Sequence, residues 1–222
     1  MRCAIRRVMH REFMLAARNV SQIINPLFFF IITIVLFPLS LPVDVGVLQT
    51  VAPGIVWMAA LFAILLSIDR LFLQDAADGI FEQWLLSPHS FSLLLLAKII
   101  CHWCINILPL IILTPLVALM LQLTMHQALI LACSLLLGTP ILLLLTALAA
   151  AFTVSEGNKG VLMALIVFPL VIPVIIFGAG SLVYAGQPEV VVGLFALLGA
   201  LLIITLIALP IAISSALRIT LN

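Results

Sequence analysis

Residues 128–152 read ALILACSLLLGTPILLLLTALAAAF, and no charged side chain interrupts them. The run does not alternate as a barrel strand would. A helix of about 20 apolar residues crosses the roughly 30 Å hydrocarbon core of a bilayer, and a helix satisfies its own backbone there. Working outward, five more stretches have the same character: 23–41, 51–68, 94–121, 160–183 and 191–217. The bulk composition agrees. The chain is 66% apolar and 8% charged, where a soluble domain is about half apolar and about a quarter charged. A soluble fold of this size needs far more polar surface than that. The expected architecture is an all-α membrane protein: one domain over residues 1–222 with six transmembrane helices.

Proline and glycine qualify that reading. The third span carries Pro109 and Pro115, which predict a bend or tilt. The fifth contains FPLVIPVIIFGAG at 168–180. Pro169 and Pro173 each remove a backbone donor, and Gly178 and Gly180 loosen the next turn. A broken or re-entrant helix is expected near 169–180, acting as a hinge. Pro140 and Pro210 predict milder kinks.

Orientation follows from the basic residues. Arg2, Arg6, Arg7, Arg11 and Arg18 precede the first span; Arg70 and Lys98 bracket the second connection; Lys159 precedes the fifth span and Arg218 follows the sixth. All fall on one side of a six-span chain, and the opposite connections hold no Lys or Arg. The positive-inside rule puts that side, with both termini, in the cytoplasm. The N-terminal apolar run is as long as a full span and lacks a small-residue cleavage site, so it is expected to stay in the mature protein. Before it, residues 4–20 place Ala4, Ile5, Val8, Met9, Phe13, Ala16, Ala17 and Val20 on one helical face and Arg7, Arg11 and Arg18 on another. This is either an interfacial helix with its arginines among anionic lipid headgroups or a plain basic anchor.

Chemistry is scarce. Cys101 and Cys104 spell CHWC, but the residue after Cys104 is Ile105, not the His of a haem-attachment motif. They read as buried small side chains. His102 and His126 lie at opposite membrane faces and cannot share a metal. There is no phosphate-binding loop, no zinc-protease helix and no nucleophile elbow, so no catalytic or metal-binding residue is assigned and the chain is not expected to be an enzyme. No acid or base sits at the centre of a span, which argues against a proton-coupled carrier. Nothing suggests nucleic acid as a partner.

One polar island stands out: QDAADGIFEQWLLSPHS, residues 74–90. As one helix over 75–86, it carries Asp75, Asp78 and Glu82 on one face and Ile80, Phe81, Trp84 and Leu85 on another, with Gly79 inside and Pro88 as the stop. Charge beside exposed aromatics makes a docking surface. A helix resting on lipid is the alternative, but acids fit poorly against an anionic leaflet.

That island resembles the cytoplasmic coupling helix of type-2 ABC transporter permeases. In those, a D/E-x-G-x-x-E-x-L string and a proline precede a lysine that opens the next span. Gly79, Glu82, Pro88 and Lys98 stand at those places, and Asp78 and Leu85 stand one residue along from theirs. More narrowly, NPLFFFIITIVLFPLS (25–40), APGIVWMAALFAILLSIDRLF (52–72), HWCINILPLIILTPLVALML (102–121), LLLGTP (135–140), FPLVIPVIIFG (168–178) and ALRI (216–219) resemble the haem exporter protein B (CcmB) family of bacterial cytochrome c maturation. The likeness runs the length of the chain. It implies an ABC-2 or type V exporter-like permease in the bacterial inner membrane, with an ATPase-coupling segment formed by Asp75, Asp78, Gly79, Phe81, Glu82, Trp84 and Leu85. It implies as partners a CcmA-like ATPase that holds the ATP, and CcmC-, CcmD- and CcmE-like proteins that handle the haem. Two copies of the segment would suit an ATPase dimer. This chain has no tryptophan-rich W-W-D motif, and Trp57, Trp84 and Trp103 are scattered, so no cofactor is expected to bind it directly. The likeness leaves two alternatives open: an ABC-2-type exporter of a lipid, drug or glycan, and a carrier or scaffold without an ATPase.

Overall fold

The computed structural model describes residues 2–40, 45–68, 71–72, 75–76, 78–152 and 159–220. Asp69, Arg70, Gln74 and Ala77 of the region around the acidic island lie outside the described residues, as do the side chains of Arg2, Cys3, Ala4 and Lys159. The helices are α1 (Arg2–Arg18), α2 (Ser21–Ser40), α3 (Val45–Ile68), α4 (Ile80–Leu85), α5 (Phe91–His102), α6 (Leu108–Ile112), α7 (Thr114–Met120), α8 (Met125–Phe152), α9 (Lys159–Val183) and α10 (Pro188–Thr220). Among the described residues there is no strand.

Five stretches are long and apolar enough to cross a membrane: Ser21–Ser40, Gly46–Ile68, Phe91–Met120, Met125–Phe152 and Pro188–Ile219. Within α9, Val167–Val183 forms a shorter apolar stretch. α8 is the central helix and packs against α3, α9 and α10. α2 and α10 lie outside it and present Phe28, Leu36, Ile203, Ile204, Ile207 and Ile211 outward. So large an apolar exterior suits hydrocarbon rather than water.

The third span is broken where its prolines require it. Pro109 cannot donate to the carbonyl of Ile105, and its ring crowds that carbonyl. The chain answers with a π turn at Trp103–Ile107, leading directly into α6. Wider turns of this kind absorb an extra residue. Trp103 anchors the turn by donating its indole N–H to Thr139 Oγ1 on α8 at 3.0 Å. Pro115 leaves the Ile111 carbonyl without its usual donor, and the Thr114 hydroxyl takes that place at 2.6 Å.

The break expected near 169–180 is absent. α9 runs unbroken through Pro169, Pro173, Gly178 and Gly180. Pro169 and Pro173, four residues apart, lie exposed along one outer face. Gly178 serves packing instead. The fully buried Trp57 indole lies between Gly178 of α9 and Gly138 of α8, and a methyl on either glycine would overlap its ring. A Cβ on Gly180 would meet only Leu194 Cδ1 at 3.5 Å, an ordinary contact.

Candidate functional site

The segment joining α3 to α5 is not one helix. Asp75 and Ala76 are helical, Asp78 and Gly79 form a turn, and α4 begins at Ile80. Gly79 adopts φ 67°, ψ 24°, left-handed backbone that glycine enters without a Cβ penalty. That one residue resets the helical phase. The single acidic stripe Asp75–Asp78–Glu82 therefore does not form.

The second half, α4, has one face turned in and one turned out. Phe81 is 0% exposed. Its ring sits edge-on to Phe72 and Trp84, both at 5.9 Å, and to Phe91 at 6.2 Å. Trp84 also meets Phe91 edge-on at 6.4 Å. Aromatic pairs in such geometry contribute about 0.5–1.5 kcal/mol each beyond their buried area. The expected apolar docking face is thus turned inward: Phe81 cannot fill a pocket on another protein, and Trp84 and Leu85 are half-buried. Asp78, Glu82, Gln83 and Leu86 remain outside. Ser87 closes α4 by donating its hydroxyl to the Trp84 carbonyl at 2.7 Å.

Asp75 also turns inward, and its partners were not legible as a site. Its side chain is 3% exposed and accepts from Lys98 Nζ at 2.7 Å and from Arg11 Nη2 at 2.8 Å. Glu12 completes the cluster, 3.1 Å from Lys98 and 3.2 Å from Arg11. The cluster joins α1, the connecting segment and the first turns of α5. Burial alone would raise the Asp75 carboxyl, but the hydrogen bonds and charges of Arg11 and Lys98 outweigh it and hold the group below its usual range. The hydrogen bond to Asp75 in turn raises Arg11, against the opposing effect of burial. In the sequence, Arg11 and Lys98 carry topology, and the signal for more was Glu12, the lone acid of an otherwise basic amphipathic helix.

Cys101 is buried and Cys104 half-buried, both as free thiols. Among the described residues, no three His, Cys, Asp or Glu side chains converge as metal ligands would.

The chain as a whole has close relatives along its length. It is 46% identical to heme exporter protein B of Pseudomonas aeruginosa over 95% of this chain and 94% of that protein. It is 43% identical to heme exporter protein B of Haemophilus influenzae, covering 97% of each chain. Identity is 35% to the protein of the same name from Bradyrhizobium diazoefficiens, again over 97% of each. Residues 3–220 match the family described as CcmB protein, and the chain belongs to that family.

Proposed function

We propose that this chain is the membrane permease subunit of an ABC transporter complex for c-type cytochrome biogenesis. ATP is hydrolysed on a separate CcmA-like subunit, and the chain transmits that work to haem delivery, releasing the haem-loaded CcmE-like chaperone from its loading complex with CcmC- and CcmD-like proteins. Six spans, with α9 as the fifth, leave both termini and α4 on the cytoplasmic side of the inner membrane. Two copies would offer one α4 to each half of an ATPase dimer.

The observation that carries this reading is the construction of the α3–α5 connection. It is fastened to the bundle by an aromatic cluster and by buried ion pairs, yet it presents Asp78, Glu82, Gln83 and Leu86 outward. A handle must be gripped on one side and rigid on the other. Among these, Leu86 is 89% exposed, an apolar tip beside two acids.

Deleting the gene and staining membranes for covalent haem tests the function. Loss of every c-type cytochrome supports it; normal staining removes it, and leaves an exporter of another substrate. Within the complex, Glu82→Lys is expected to cut recovery of the ATPase by about tenfold, as a reversed rim charge does when it meets its like. Co-purification from detergent measures this, and full recovery rejects α4 as the contact. Phe81→Ala is expected to behave differently. It empties a buried aromatic site at a cost of about 3–5 kcal/mol, so the connection loosens and becomes sensitive to protease, a change that Glu82→Lys does not cause.

A further inference from the structure

A polar cavity of about 180 Å³ lies where α1 hands over to α2. Its mouth is formed by Asn19, Gln22 and Asn25, and its wall by Glu12, Ser67 and His102; Asn106 lies on the π turn. The inner hydrogen bonds fix one another. Asn106 Nδ2 donates to His102 Nδ1 at 3.1 Å, which leaves Nε2–H to donate to Ser67 Oγ at 3.1 Å; the Ser67 hydroxyl donates to the Ile64 carbonyl at 2.8 Å. With its amide thus oriented, Asn106 is 6% exposed and its Oδ1 has no partner. An acceptor left so is costly, about 1–3 kcal/mol, unless something donates to it.

Asp75 and Lys98 also line the cavity, and the strong donors nearby are drawn to carboxylates or to Ser67. Lys98 is held by Glu12 and Asp75, Arg11 by Asp75 and Glu12, and the His102 N–H by Ser67. Acceptors remain: Asn106 Oδ1, and Glu12 Oε2, to which no hydrogen bond is made among the described residues. The carboxamides of Asn19, Gln22 and Asn25 turn whichever end a guest needs. A guest that brings several N–H donors in a small volume satisfies these acceptors together.

We propose that this cavity binds a primary ammonium group. The mouth opens at the junction between the amphipathic helix α1 and the first span, the depth of the phospholipid headgroups, so the ethanolamine headgroup of a membrane lipid is one source and a soluble amine the other. A quaternary ammonium offers no N–H and does not satisfy Asn106.

The test uses the purified full chain in nanodiscs of phosphatidylcholine alone or with phosphatidylethanolamine, followed by thermal melting. The ethanolamine lipid is expected to raise the midpoint by about 2–4 °C. Asn106→Leu is expected to melt lower in phosphatidylcholine, because His102 Nδ1 loses its donor, and to gain nothing from the ethanolamine lipid; Asn25→Ala, at the exposed mouth, reduces the shift without touching the interior. Ethanolamine added to phosphatidylcholine discs separates the sources: a matching shift assigns a soluble amine, and its absence assigns the lipid. Equal midpoints in all discs, with and without the amine, or an undiminished shift in Asn106→Leu, overturn the proposal and leave water as the occupant.

Discussion

Gly178→Ala is expected to abolish the folded protein. The Trp57 indole is rigid, is 0% exposed and is flanked by helices on two sides, by Gly178 and Gly138. A methyl at Gly178 has nowhere to go except into that ring. Overpacking a core costs about 1–3 kcal/mol where neighbours yield. Here the neighbour is a bicyclic side chain wedged between backbones, so the cost belongs at or above the top of that range. Size-exclusion of detergent-solubilised protein should show loss of the folded peak. Gly180→Ala is the control, since its new methyl makes only an ordinary contact with Leu194. Trp57→Leu combined with Gly178→Ala should recover part of the yield, because the smaller side chain vacates the space. A normal peak for Gly178→Ala alone would show that the helices part more readily than this packing allows.

Lys98→Met should have the next largest effect. It strands Glu12 and Asp75 beside each other with only the half-exposed Arg11 to answer both. Removing one partner from a buried ionic cluster costs about 3–5 kcal/mol, because the remaining charge stays desolvated. The triple variant Glu12→Gln, Asp75→Asn, Lys98→Met should regain much of the loss, since the one charge left, Arg11, is half-exposed and can be solvated. Thermal melting compares the three proteins; equal melting of wild type and Lys98→Met would mean that water reaches the cluster freely. The pH dependence has a definite sign. Asp75 has its folded pKa lowered, so its contribution is present above the unfolded value and disappears as pH falls through the lowered one. At neutral pH the cluster is intact, and only strong acid should release α1 from the connection.

Five of the six expected spans were legible, because uninterrupted apolar runs leave few choices once a bilayer is the solvent. The broken third span followed from Pro109 and Pro115. The same reasoning failed for α9, where Pro169 and Pro173 are more numerous signals per turn than Pro109 yet leave the helix whole. Local composition does not separate the two cases, and neither does exposure, since Pro115 at a break is exposed as Pro169 and Pro173 are. The acidic island was recognisable as special, but its facing was misread. A helical wheel drawn through Gly79 assumes a phase that its left-handed backbone breaks, and so Asp75 and Phe81 were assigned outward when both point in. The ionic cluster was out of reach, because Asp75 lies 64 residues from Arg11 and Lys98 lies 86 from Glu12. The reason for Gly178 was equally hidden, since it is a tryptophan three spans earlier in the chain.

The wide turn at Trp103–Ile107 holds the lower part of its span one residue out of phase with a regular helix. Each residue of an α-helix advances the azimuth by about 100°. If that surplus residue were given up, α5 would screw round by this amount beneath Pro109, carrying Lys98 off its carboxylates. Torque applied through the connection would then be taken up as rotation of the half span beside it, with no need for whole helices to swing apart.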